Sequence, residues 1–202
     1  MSARRWMPFL SILLALTLSS CNTGEQPGQA VEKTVAALKA ADGQTAQKYV
    51  DYQNLLVFSM NQGGTFSKDS ENVKLLFSKL SCKINSTKID GETAVVNADI
   101  TTLDMQQIFM DYMSQSLSLI YSTGQEQNQD NAQLQAQLAK IFTDILKKQD
   151  TKTVTKNVDI HMAKSQSNWT ITLDENFQDA VLGGVVKAVR LINESIGAQP
   201  PD

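Results

Sequence analysis

Few side chains in this sequence are placed to do chemistry, and most of those types are scarce. There are two cysteines, Cys21 and Cys82, and one histidine, His161. A zinc site of the usual His/Cys kind therefore lacks ligands, so no metal is expected. A Ser-His-Asp triad would have to be built around His161. Gly183-Gly184 has no phosphate-loop pattern around it, and no cofactor is implied. Asp99 is a carboxylate that would act as a base in an apolar pocket. Yet Ala94, Val96, Ala98 and Ile100 alternate around it, which turns Asp99 to the other face and predicts a solvated strand carboxylate. His161 alternates away from Ile160 and Met162 in the same way. Tyr49, Tyr52 and Trp169 are candidates to line a ligand cavity, although aromatics at these spacings more often fill cores. Phe109 and Met113 belong to a Met/Phe/Tyr-rich stripe over 105–121, a candidate binding surface because methionine adapts to varied apolar partners.

Cys21 has the most informative surroundings. Arg4 and Arg5 precede an apolar run from Met7 to Leu18, followed by small Ser19 and Ser20. The run is about a dozen residues, within the signal-peptide range and too short to span a bilayer comfortably. Leu18-Ser19-Ser20-Cys21 resembles the lipobox of bacterial lipoproteins. The resemblance implies a diacylglyceryl group on the Cys21 thiol, cleavage after Ser20 and an extracytoplasmic chain anchored in the cell membrane or outer membrane. Two acyl chains matter physically, because each buried CH₂ contributes roughly 0.8 kcal/mol and one chain alone holds only marginally. Trp6-Met7-Pro8 fits twin-arginine export poorly. With Cys21 acylated, Cys82 has no partner within the chain. It is either a reactive thiol or a small buried side chain, and the second is favoured because only Lys83 nearby would lower its pKa.

The full chain has 202 residues and a formal net charge of −3. Loss of the first 20 residues would remove Arg4 and Arg5 and no acid, leaving a more acidic domain. Such a domain has no reason to seek nucleic acid.

The elements follow from period and punctuation. Residues 1–20 read as signal peptide, 21–28 as a polar tether, 29–196 as one domain and 197–202 as a tail. Gln29–Ala41 predicts a helix stopped by Asp42-Gly43, and 44–55 and 70–80 predict two more. The period then changes. Strands over 81–89 and 92–103 flank Asp90-Gly91, a strong hairpin signal. A second hairpin is expected from 151–164 and 168–173, turning at Ser165-Gln166-Ser167. Between them, 104–149 reads as a helical hairpin with capping boxes Asp104/Gln107 and Asp130/Gln133. Its stripes Met105/Phe109/Met113/Leu117 and Leu134/Leu138/Phe142/Ile145 are expected to bury one another. Asp174 is expected to cap a last helix, which Gly183-Gly184 breaks or packs closely.

The order helix, helix, hairpin, helices, hairpin, helix resembles the cystatin-like cone of the nuclear transport factor 2 and ketosteroid isomerase superfamily. The stretch from Ala36 to Val50 looks like the helical opening of uncharacterised bacterial lipoproteins with this fold. So do Trp169-Thr170-Ile171, Asp174-Glu175-Asn176-Phe177 and Ala180 to Gly184. The resemblance implies an α+β fold: a curved antiparallel sheet of two hairpins packed on N-terminal helices, with the helical hairpin inserted. The expected function is a membrane-anchored module that binds a small apolar ligand or a protein, without catalysis. Isomerase-type catalysis on a small molecule and a structural role in the envelope are the alternatives. A deep pocket around a buried carboxylate would favour the enzyme, and a filled core with an exposed apolar groove the interaction module.

Overall fold

A computed structural model describes residues 24–61, 70–123, 131–148, 152–166 and 168–195. The signal, Cys21, the second proposed capping residue Asp130, Ser167 and the tail lie outside the described residues. The fold is α+β, in the order α1 (Pro27–Lys39), α2 (Gly43–Ala46), α3 (Tyr52–Asn61), α4 (Ser70–Leu76), β1 (Ser81–Asp90), β2 (Thr93–Leu103), α5 (Met105–Thr123), α6 (Asn131–Lys148), β3 (Thr153–Ser165), β4 (Asn168–Ile171), α7 (Glu175–Val181) and α8 (Val185–Ser195).

The four strands form one curved antiparallel sheet in the order β1-β2-β3-β4, each paired with its sequence neighbour. The first hairpin closes at Asp90↔Thr93, with Gly91 at φ +59°, in the first loop position where two-residue connections favour glycine. On β2 the predicted row Ala94, Val96, Ala98 and Ile100 is buried throughout, and Val158, Ile160, Met162, Trp169 and Ile171 continue it across β3 and β4. Strand β1 joins this row through a register break. Ile84 pairs with Ala98, but Thr87 pairs with Val96, so Asn85 is an extra residue. The bulge switches parity and keeps Cys82, Ile84, Thr87 and Ile89 on one face.

Helices α1 and α7 cover that face. Helix α1 contributes Ala30, Val31, Val35 and Leu38, and α7 contributes Phe177, Ala180 and Val181, all buried. The opposite face is solvated, as one face of an antiparallel sheet commonly is. It carries a polar ladder in which Asn85 Nδ2 donates to Asn97 Oδ1 (3.2 Å) and Asn157 Nδ2 donates to Asp99 Oδ1 (2.7 Å).

Two sequence expectations among the helices, one of extent and one of capping, need correction. The predicted helix over 44–55 is two pieces. Asp51 accepts from Asn54 N–H (3.1 Å) and starts α3 afresh, while the Tyr49 carbonyl leaves helical pairing to accept from Ile171 N–H (2.6 Å). Asp104 caps α5 by accepting from Gln107 N–H (3.1 Å), but Gln107 turns forward to Asp111 (2.8 Å) and closes no reciprocal box. Of the two roles expected for Gly183-Gly184, the break is seen: the last helix parts between Val181 and Val185, where they take φ +60° and +89°.

Helix α5 is rotated from its expected setting, while the α6 stripe Leu134, Leu138, Phe142 and Ile145 turns inward as expected. The inward face of α5 is Met105, Ile108, Tyr112 and Ser116, not Met105/Phe109/Met113/Leu117. Tyr112 meets Phe142 of α6 edge-on, with ring centroids 5.5 Å apart. Ile145 and Leu146 complete the buried base of the hairpin.

Candidate functional site

The aromatic candidates lie in or against the core. Tyr49 is half-buried and its hydroxyl donates to Glu25 Oε1 (3.3 Å). Tyr52 is buried, and burial raises its phenol pKa. Its ring lies so close to Gly43 that a Cβ there would sit 2.7 Å from Tyr52 Cε1. Trp169 is buried, with the Lys164 ammonium 5.8 Å from its ring centroid. The face of the sheet on which a cone pocket would open is filled by α1 and α7.

Asp99 and His161 both lie on the solvated face. Asn157 and then Asn85 hydrogen-bond the Asp99 carboxylate and hold it below the usual carboxylate range. A general base needs its pKa moved the other way, by burial. Cys82 is half-buried and has no disulfide partner among the described residues, and desolvation pushes its thiol up, away from reactivity.

A cleft of about 640 Å³ opens beside β3, where that strand runs past the end of short β4. Lys156, Asn157, Asp159 and His161 line one wall, and Asn176, Asp179 and Lys187 the other. Its floor is an ion pair. Lys156 Nζ lies 2.6 Å from Asp179 Oδ2, with the two side chains 32% and 2% exposed. Asp179 Oδ1 accepts from Lys187 N–H (2.9 Å) in the first turn of α8, so one carboxylate fastens β3, α7 and α8 together. Both carboxylate oxygens are engaged in holding these elements. This cluster is the part that sequence reasoning missed. One signal was legible: Lys156 occupies the inward row of β3, between Val154 and Val158, where an ion must find a buried partner.

The second candidate surface is the flank of α5. Phe109 is half-buried against the core. Met110, Met113, Leu117, Ile120 and Tyr121 are 52%, 40%, 46%, 43% and 77% exposed. They form a continuous stripe, since residues three and four apart share one side of a helix. Two polar atoms lie buried near the α5–α6 seam. Ser116 Oγ and Gln137 Oε1 are buried and, among the described residues, have no hydrogen-bond partner. Large apolar side chains thus face water on one flank of α5, while the Tyr112–Phe142 contact fills the other.

Comparison with known proteins gives a family and one solved structure. The family model described as "Domain of unknown function (DUF5105)" matches residues 64–184, more than half the chain, and runs through the helical hairpin. No curated protein matches. A solved structure of a "putative lipoprotein (ycdA)" from Bacillus subtilis subsp. subtilis strain 168 is 14% identical with a TM-score of 0.44. The similarity covers 80% of this chain and 57% of that one, so the chain spans less than two thirds of that protein's length. No helix among the described residues is long and apolar enough to cross a membrane.

Proposed function

The chain belongs to the DUF5105 family, and from that premise we propose that it is a lipid-anchored, extracytoplasmic interaction module. The anchor is the diacylglyceryl group on Cys21, following cleavage after Ser20, and residues 21–28 tether the domain. Recognition of a protein partner takes place on α5. The observation that carries this reading is the exposed stripe of Met110, Met113, Leu117, Ile120 and Tyr121 on a fold whose sheet-facing interior is filled. Large apolar side chains scattered singly need no explanation, but a contiguous run along one helix does. Kinship of the sheet with the cystatin-like cone belongs to the same proposal, supported by the order β1-β2-β3-β4 and by helices over one face.

A second reading has its own observation. The cleft beside β3 falls within the roughly 300–1,000 Å³ of small-molecule sites, and its walls are polar. It would suit a small polar ligand, not the apolar one expected from the sequence. Native mass spectrometry of gently purified protein decides this, since a retained small molecule would favour the cleft.

The anchor and the recognition surface are tested separately. Cys21→Ser should leave the chain unprocessed or released from membranes. A mutant of mature size that still partitions with detergent would overturn the anchor. Met113→Lys with Leu117→Lys, in the anchored protein, should abolish its cross-linked protein adducts without lowering its melting temperature. Unchanged adducts would overturn the recognition surface.

A further inference from the structure

We infer that the free edge of β3 beside the cleft takes up an extended peptide of another protein, acidic on its inward row, as a fifth strand of the sheet. The inference needs neither the α5 surface nor the anchor. It gives the cleft a polypeptide occupant where the second reading has a small molecule. Lys164 N–H donates to the Glu92 carbonyl (2.7 Å), so the even-numbered residues of β3 aim their backbone groups at β2 and the odd-numbered ones aim away. On that far side the His161 carbonyl accepts from Thr172 N–H (2.8 Å), and there the pairing stops. The N–H and C=O groups of Thr155, Asn157 and Asp159 have no backbone partner among the described residues. They prolong the β4 side of the ladder by about 13 Å, at roughly 3.3 Å per residue. A row of alternating donors and acceptors at strand spacing is satisfied by an extended polypeptide. The two edges of the sheet differ. Strand β1 is bulged at Asn85 and carries Lys83 and Lys88, devices that turn other strands away. Strand β3 pairs with β2 in unbroken register from Thr153 to Ala163 and holds no proline. Its inward charge, Lys156, is bound to Asp179 and does not repel an incoming strand. Lys187 sets the charge of the occupant. Its ammonium donates to Asn176 Oδ1 (3.0 Å) and, among the described residues, bonds no carboxylate, on the wall that the inward row of an added strand would face. A second copy of this chain fits poorly, because its β3 edge carries the same Lys187 and its β1 edge Lys83 and Lys88.

The probe is a heptapeptide, Thr-Val-Thr-Glu-Thr-Val-Thr, with a dye at its N-terminus and an amide at its C-terminus, titrated against the full chain in detergent micelles. As an antiparallel strand its threonines exchange backbone bonds with Thr155, Asn157 and Asp159, and its glutamate turns toward Lys187. Saturable binding is expected. N-methylation of the inner threonines removes pairing donors and should weaken binding at least about tenfold, whereas N-methylation of the valines should leave it unchanged. Equal weakening by the two patterns, or no saturable binding, would overturn the added strand. Variants of the chain locate it. Asn157→Pro removes an edge N–H that β2 does not use and should abolish binding, while Asn157→Ala, which loses the same side chain, should keep it. Lys187→Glu should shift the preference at least about threefold toward the peptide with lysine in place of glutamate, a readout that stands even if Asn157→Pro does not fold. A preference that Lys187→Glu leaves unchanged would overturn the proposal. Binding lost in Met113→Lys with Leu117→Lys would move the peptide to α5 and overturn the edge. A small polar molecule retained in the cleft that the peptide cannot displace would overturn it as well.

Discussion

Gly183 carries more constraint than any other described glycine. It has φ +60°, and a Cβ there would lie 2.0 Å from the Leu103 carbonyl oxygen and 2.8 Å from Met105 N. Both obstacles are backbone, at the junction where β2 passes into α5, so neither can rotate away. Gly91 has nearly the same φ but open space around it. Gly91→Ala should cost only about 1–2 kcal/mol, the ordinary penalty of a left-handed conformation. Gly183→Ala should cost more than twice as much, because the β2–α5 junction must move. Urea titration of the two variants checks this, and equal midpoints would refute it. Cys82 gives a pH test. Its folded pKa is raised by burial and then by Glu32, so the neutral thiol is the form that the fold favours. Stability from this group is present below the unfolded thiol pKa and is lost as pH rises through the folded value. Native Cys82 should therefore resist alkylation near neutral pH and react at the rate of an unfolded peptide only after denaturation. Rapid native alkylation at pH 7 would mark it as a reactive thiol after all.

The Lys156–Asp179 pair shows how a single polar contact fixes the arrangement of elements. Lys156→Met would leave Asp179 charged, nearly fully buried and bound only by Lys187 N–H. Breaking a buried pair in this way costs about 3 kcal/mol. Asp179→Asn on top of Lys156→Met keeps an acceptor for Lys187 N–H and removes the charge, so most of the loss should return. A double-mutant cycle in urea reads the coupling, and additive losses would show that the pair does not hold β3 to α7. This contact was beyond the reach of local sequence signals, because its partners are brought together only by the fold. The same limit applied to α5. Its large apolar residues lie on several sides of the helix, so periodicity alone could not decide that Ile108 and Tyr112 turn inward while Met113 and Leu117 turn out. Signals that depend on neighbours in the chain were legible. The Asp90-Gly91 turn, the alternating row of β2 and the caps at Asp104 and Asp174 all stand where spacing and side-chain chemistry put them. The break before Tyr52 was not, since it depends on a hydrogen bond between Tyr49 and distant Ile171.

At the scale of the whole molecule, the family match and the folded core have different boundaries. The match spans residues 64–184 and takes in the sheet, both helices of the hairpin and α7. It leaves out α1, which packs on β1, β2 and β4, and it stops short of α8. Ala30, Val31 and Leu38 of α1 are fully buried and Val35 is 5% exposed, while Val185, Val186 and Val189 of α8 are also buried. The fragment also lacks α2 and α3; losing α1 strips one face of the sheet of much of its cover, and losing α8 uncovers α5 and α7. Losing a single buried Leu side chain commonly costs 2–5 kcal/mol, and a whole domain has only about 5–15 kcal/mol of stability. A fragment of residues 64–184 should therefore be unable to keep a packed core, although it carries both strand hairpins. A fragment from Gly24 to Ser195 should unfold cooperatively, because it retains α1, α8 and the contact of Glu25 with Lys33 (2.6 Å) that fastens the start of α1. The measurement is thermal and urea unfolding of the two fragments, with dye binding to exposed apolar surface as a second probe. The shorter one should bind dye and melt without a cooperative transition. A sharp transition in residues 64–184 alone would mean that α1 is an attached cover and not part of the folding unit, and the core would have to be redrawn around the sheet and α7.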